Sequence, residues 1–309
     1  MSAITPPRRA PELSDTELAA LFDRCSNRGR WGDDDERGTL NYIDDEVRLA
    51  AFSTVTLGAM ISLGRDISTQ HSPVNPRPAV HLPIYEQHRP VSALDYVGIA
   101  PHGFAVTHLD AVGHVFWNDA VYNGRSAADV VQASGLTFGS ILAMGEGIVT
   151  RGVLLDVARA RGVDWLADDE YVTVEDLEAA EALAGVEVGR GDAVLVHVGL
   201  ERREQVLGPE DPTRRAGLHA SCLPWLHDRQ VAVYSGDCVE RMPYPSELLP
   251  LPLHQIGLAA MGLCLLDCPR MTPLVETAER LERSTFVLAM APLRIPGGTG
   301  CAVNPLAVF

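Results

Sequence analysis

Residues 107–114 read Thr-His-Leu-Asp-Ala-Val-Gly-His, a T-H-x-D-x-x-x-H array inside an otherwise apolar stretch. Few folds can bury such a segment. In an extended strand residues i and i+2 project to one face, so His108 and Asp110 point together. His114 shares that face or returns to it after a turn. Burying two imidazoles and a carboxylate is costly unless each finds a partner, and one divalent ion would partner all three. Imidazole nitrogen and carboxylate oxygen suit Zn or Mn, and three protein donors with an open position are what a catalytic metal needs. The competing reading is three hydrogen-bonded core residues. The rest of the chain is read as a frame for this array.

The 309 residues, 46% of them hydrophobic, suffice for one large core. A net charge of −16 argues against nucleic acid as the main partner, because phosphate binding needs a basic face. Met1–Ala10 lacks the apolar core of a signal peptide. No apolar run approaches the roughly 20 residues of a membrane span. The expectation is a cytoplasmic protein with a small-molecule substrate and no nucleic-acid or membrane partner. Cys25, Cys222, Cys238, Cys264, Cys268 and Cys301 show no CxxC spacing and are read as free thiols. Cys264 and Cys268 would share a face if they lay on a helix.

Residues 1–12 are rich in Pro and Arg and read as an arm. Ser14-Asp15-Thr16-Glu17 is a capping-box pattern and predicts a helix to about Ser26. The polar, Gly-punctuated run 30–41 is either a solvated loop or a lid that carries Trp31 to a pocket. Asp44 caps a predicted helix over 45–55, and a strand follows over 59–67. Residues 71–103 show no period and read as a long loop holding His71, His81, His88 and His102; such loops are usually functional. Phe116 and Trp117 follow the array, and with Trp31 and Phe104 they are the candidates for a hydrophobic substrate wall.

Further strands are predicted over 147–157, 192–198 (with His197 as a core residue), 230–235, 263–266 and 286–295. Helices are predicted over 173–183, 219–227 and 254–260, with another opening at Thr272-Pro273. This interleaving fits one α/β or α+β domain, with an N-terminal arm and lid over 1–45 and the body over 46–309. The Gly-rich tail 296–300 lacks the strand–GxGxxG–helix context of a dinucleotide site, and there is no GxSxG elbow.

The array resembles the metal motif of the cyclase superfamily, which holds bacterial kynurenine formamidase and isatin hydrolase. Supporting stretches are Arg151–Asp156, Ser235-Gly236-Asp237, His254 with Gly262 and Asp267, and Pro292-Leu293 through Asn304-Pro305. Trp31-Gly32 and Gly38-Thr39-Leu40-Asn41 look like the longer, actinobacterial-type cyclase-family proteins, so the resemblance runs from about Trp31 onward. It implies a swivelling β/β/α fold, a Zn or Mn site, a homodimer or homotetramer, and amide hydrolysis. Carried over by position, His108, Asp110 and His114 match the family's ligands and His254 its later ligand histidine. Asp267 falls where the family often has Glu or Gln. Two departures stand out. The family's motif usually begins with a histidine four residues before the one matching His108, and here that residue is Phe104. His102, six residues before, either takes the role or the site has one ligand fewer. The interval from His254 to Asp267 is also one residue longer than expected, so one ion or two remain open.

The function expected from these residues is hydrolysis of a C–N bond in a cyclic or aryl amide by a metal-activated water. His254, Asp267 or Asp110 would carry the proton to the leaving nitrogen. Two alternatives stand beside it. One is a ring-forming or dehydrating step that uses the same metal as a Lewis acid. The other is a non-catalytic family member, which Phe104 favours.

Overall fold

Short β-branched runs that end at Gly or Asp build the centre of the molecule. In the computed structural model, residues 12–85, 91–209, 211–237 and 239–309 are described. Residues 1–11 of the expected arm, His88 and Cys238 lie outside them. The strands are β1 (Met60–Ser62), β2 (Val80–Tyr85), β3 (Ala93–Gly98), β4 (His108–Asp110), β5 (Val131–Gln132), β6 (Gly135–Leu136), β7 (Ile148–Asp156), β8 (Tyr171–Val172), β9 (Ala193–His197), β10 (Gly217–Leu218), β11 (Val233–Gly236), β12 (Cys264–Asp267), β13 (Thr285–Met290), β14 (Gly300–Ala302) and β15 (Leu306–Val308). The helices are α1 (Asp15–Arg24), α2 (Asp45–Ser53), α3 (Ala127–Val130), α4 (Val157–Ala160), α5 (Val174–Ala184), α6 (Leu200–Leu207), α7 (Leu223–Asp228), α8 (Pro252–Ile256) and α9 (Thr272–Leu281).

Nine strands form one mixed sheet in the order β1-β15-β13-β7-β9-β11-β12-β4-β14. The four in the middle, β7, β9, β11 and β12, run parallel, and antiparallel strands flank them on both sides. A strand covered on both faces reads as a continuous apolar run. Accordingly Val153, Leu155, Val194, Val196, Tyr234 and Leu265 enter one core, under α1, α5, α7 and α8. Their neighbours Leu154, Leu195, Val233 and Leu266 enter a second core on the other face, with α9 and the turn Gly38–Tyr42. Period-2 alternation thus fills two layers from the same strands.

The expected capping box at Ser14 is present, with Glu17 returning to the Ser14 amide, and Asp44 caps α2. Residues 71–103 depart from the expectation of an irregular loop. They contain the β2–β3 hairpin, whose side chains are exposed on both faces. Sequence period reports a half-buried face, and here neither face is buried. The tail also differs: the last long strand stops at Met290, and β14 and β15 then join the sheet on either side. Cys264 lies on β12 and Cys268 just beyond it, so they share no helix; the described cysteines are all free and buried.

Residues 38–42 are fixed by a close backbone approach. Gly38 and Gly262 both have positive φ, and a Cβ on Gly38 would sit 2.0 Å from the Gly262 carbonyl oxygen. The Thr39 hydroxyl donates to the Ala232 carbonyl at 2.7 Å. Ala232 immediately precedes β11 and Gly262 lies two residues before β12, so this turn lies at the amino ends of the parallel strands.

Candidate metal centre and substrate cavity

The carboxyl ends of the parallel strands carry the chemistry. β7 ends at Asp156, β9 at His197 and β12 at Asp267, while Asp237 follows β11. Open sheets with parallel strands bind ligands at this edge. β4 lies antiparallel to β12 with His108 opposite Asp267, and residues directly opposite share a face. His108 and Asp110 therefore turn toward Asp267, while Leu109 enters the core behind them.

Each ring of the cluster is held. The Nδ1 of His108 lies 2.8 Å from the Val106 carbonyl oxygen, which leaves Nε2 facing Asp110 at 3.6 Å. The Nδ1 of His102 is 2.9 Å from Asp110 Oδ1, and its Nε2 is 3.0 Å from Thr299 Oγ1. The His102 ring stacks on His114 with centroids 3.7 Å apart. A turn after β4 brings His114 back, with its Nε2 3.9 Å from Asp110 Oδ1. On α8, His254 places Nε2 at 3.2 Å from Asp267 and 3.7 Å from Asp110. Its Nδ1 meets Glu240 at 2.5 Å. The other Glu240 oxygen accepts the Leu253 amide at 2.8 Å, so one carboxylate orients the ring and caps the helix that carries it.

The charges follow from these contacts. Burial opposes ionisation of Asp110, but the bond to His102 and the charges of His108, His114 and His254 outweigh it and hold the carboxyl below the usual range. Burial is also the largest influence on His114, and it pushes the pKa down to about 4. Burial likewise opposes protonation of His254, but Asp267 and Glu240 raise its pKa well above the ordinary value.

Two sets of donor atoms lie within 4.8 Å of one another: His102, His108 and Asp110, and Asp110, His254 and Asp267. Asp110 belongs to both. Asp267 Oδ1 is buried with no hydrogen-bond partner among the described residues. Buried imidazoles and carboxylates converging with an unused oxygen fit a divalent ion such as Zn or Mn. His102 stands in the cluster, whereas Phe104, at the position of the family histidine, supplies wall and no donor.

The cluster lies on one side of a cavity of about 180 Å³, whose apolar wall includes Phe104, Val115, Val239, Met242 and Leu251. Arg215, Asp237 and Glu240 add polar groups that sequence reasoning did not single out, beyond Asp237 as part of a Ser-Gly-Asp run. Of the four expected aromatics, Phe104 alone lines this cavity. Trp31 packs edge-on against Tyr42 at 5.1 Å, beside the turn at the amino ends of the strands, away from the carboxyl-end cluster. Trp117 packs on Phe22 at 5.6 Å, and Phe116 is largely exposed. Val115, next to His114, takes the wall position instead. His197, expected as a plain core residue, is mostly buried but pairs with Asp156 at 2.9 Å.

A family described as putative cyclase matches residues 60–240. The chain belongs to the cyclase family. As a cyclase-family protein it superposes on a crystal structure described as a novel cyclase with a TM-score of 0.83 and 29% identity, over 92% of this chain and 99% of that one. Its fold is that of the cyclase structures. Isatin hydrolase A from Labrenzia aggregata, bound to benzyl benzoate, aligns at TM-score 0.61 and 19% identity over 81% of this chain and 93% of its own. A predicted metal-dependent hydrolase from Bacillus stearothermophilus aligns at 0.50 and 16%, over 81% and 97%. At these lower identities the likeness shows the fold alone. Among curated proteins none matches this sequence. No helix among the described residues is long and apolar enough to cross a membrane.

Proposed function

We propose that this cyclase-family protein is a metal-dependent hydrolase that cleaves a C–N amide bond of a small cyclic or aryl amide. The observation that carries this is the pair of donor sets sharing Asp110 at the wall of a largely apolar cavity. His102, His108 and Asp110 would hold one divalent ion, Zn or Mn, with His114 stacked behind His102. When bound, such an ion supplies Lewis acidity, which acidifies water and stabilises negative charge on a carbonyl oxygen.

The chain's own residues do the rest. Asp110 stays ionised in a buried place, so the cluster keeps a fixed negative charge for the ion. Val106 and Asp110 orient the rings of His108 and His102. Phe104, Val115 and Leu251 exclude water from the substrate ring. His254 holds a proton at Nε2, favoured by Asp267 and Glu240, at the position from which a leaving nitrogen can be protonated. A second reading is favoured by the second donor set: with two ions, His254 and Asp267 ligate, and the proton must come from elsewhere.

Elemental analysis of wild type and of His108→Ala, purified without added metal, separates these readings. One Zn or Mn per chain, lost in the variant, supports the single-ion hydrolase, and two per chain supports the shared-carboxylate pair. A screen of amides and lactams with and without chelator then reads the reaction. No metal after reconstitution would sink the proposal.

A further inference from the structure

A second cleft, of about 440 Å³, shares no lining residue with the cavity that the His/Asp cluster faces. Arg65 lies in its wall, anchored at two points. Its backbone amide donates to Thr107 Oγ1 at 2.9 Å, and its Nε donates to the Cys268 carbonyl at 3.1 Å. Thr107 Oγ1 donates to the same carbonyl at 2.7 Å. Thr107 precedes His108 and Cys268 follows Asp267, so Arg65 is tied to the two strands that carry metal donors. These bonds leave the end of the guanidinium unused. Nη2 is closed to solvent and has no hydrogen-bond partner, and Nη1 has none either among the described residues. A second donor stands beside it. The Gly64 amide and the Ser62 hydroxyl both donate to Asn304 Oδ1, at 3.2 and 2.5 Å. A backbone N–H can only donate, so the Asn304 amide is oriented and its Nδ2 is left with no partner among the described residues. Asp66 is the acid of this wall; it is exposed and makes no ion pair with Arg65. Ile67, Ile99, Val106 and Leu293 supply apolar surface, and Ile67 and Leu293 are exposed there.

A buried donor without a partner is costly, and a bound anion satisfies it. A guanidinium keeps its charge at any physiological pH and presents a planar fork matched to a carboxylate. A neutral ligand would leave that charge unanswered. A doubly charged phosphate would sit against Asp66 and against apolar walls that offer it nothing. We infer that this cleft is a second binding site, for a small carboxylate with an apolar body. The carboxylate lies on Arg65 and the Asn304 amide, and the body lies against Ile67, Ile99 and Leu293. No metal donor enters the cleft, so the inference does not rest on the hydrolase reading.

The test pairs an affinity with a location. Calorimetry of the full chain in chelator compares para-bromobenzoate with para-bromobenzamide, which share ring and bromine and differ in charge. Without metal the carboxylate cannot gain from coordination. Wild type is expected to bind the acid at least about tenfold more tightly than the amide, and Arg65→Gln to bring the two within about twofold. Anomalous scattering from bromine in crystals soaked with the acid then places it. A carboxylate against Arg65 supports the inference, and an acid found in the His/Asp cavity alone overturns it. Equal affinities in wild type, no detectable binding of the acid, or a folded Arg65→Gln that keeps the preference would each overturn it as well. If Arg65→Gln does not fold, Asn304→Asp decides, because it keeps the acceptor for Gly64 and Ser62 and sets a negative charge where Nδ2 was. Loss of the acid with the amide unchanged supports the site, and an acid bound as in wild type overturns it. No turnover is read, so a failed hydrolysis screen leaves this result standing.

Discussion

Glu240 is buried between a helix start and a ring, and both depend on it. Outer-shell partners of this type commonly carry 10- to 100-fold of metal affinity or activity. Glu240→Gln keeps the Leu253 bond and the volume but loses the charge, so activity should fall roughly 10- to 100-fold while the melting temperature moves little. The sign of the pH effect follows from the same contact. Glu240 is one of two carboxylates that raise the His254 pKa, so removing its charge lowers that pKa. NMR of the metal-free variant should show the His254 ring titrating at a lower pH than in wild type; an unmoved ring would remove the orienting role. That His108, Asp110, His114, His254 and Asp267 come together was legible in the sequence, because burying such polar residue types demands partners and their intervals are distinctive. Glu240 and Arg215 were not, because a lone charge in a loop carries no period, and only tertiary packing brings it to the cavity. Aromatic type misled for the complementary reason: Trp31 and Trp117 are as good for packing as for a wall, and the sequence does not say at which end of a strand a loop closes.

At the scale of elements, helix ends were the clearest signals, because capping is local chemistry. The start of α5 shows how such an end titrates. Asp176 accepts the Thr173 amide at 2.9 Å, and its carboxylate, 1% exposed, pairs with Arg161 at 2.5 Å. Burial opposes ionisation here, but Arg161 and Thr173 prevail and the pKa is lowered. A carboxyl with a lowered folded pKa stabilises the protein above its unfolded pKa of about 3.9, and that contribution is lost as pH falls through the folded value. Asp176→Asn removes one of two carboxylates on Arg161, with Glu170 remaining at 3.1 Å; it should cost about 1.5 to 3 kcal/mol at pH 7 and flatten the acid side of the stability curve, as read by urea unfolding at several pH values. A variant that loses stability on acidification as steeply as wild type would count against the pair. The buried strands β7, β9, β11 and β12 were legible as apolar runs. Three-residue β14 and β15 were hidden by Gly and Pro around them, and their place depends on the register of a sheet the chain has already built.

For the whole molecule, the β2–β3 ribbon is the unfinished part. Leu82, Ile84, Tyr85, Leu94 and Tyr96 are each about half exposed, and Leu82 and Tyr96 face one another across the strands. A lone two-stranded ribbon is marginal in water, and contiguous exposed apolar surface is what a partner covers. We propose a second copy of the chain as that cover, in the homodimer or homotetramer that the family resemblance implies. Light scattering should give a multiple of 33.4 kDa for wild type, and Leu82→Asp with Tyr96→Asp should give a single chain with metal content intact. A monomeric wild type would end this reading.

The shared-carboxylate cluster also bears on the order of events in folding. Asp110, His254 and Asp267 become neighbours when β4 lies against β12 and α8 docks, which joins segments some 150 residues apart. The nascent chain holds only the first donor set, His102, His108 and Asp110, within nine residues; the second set does not exist until the sheet has formed. Ligation through the second set acts on the native state: at a free ion concentration one hundred times the dissociation constant it should add about 2.7 kcal/mol, seen as a rise in melting temperature that chelator reverses. An ion that needs His254 and Asp267 should leave the refolding rate unchanged, because those donors meet Asp110 only after the sheet has formed.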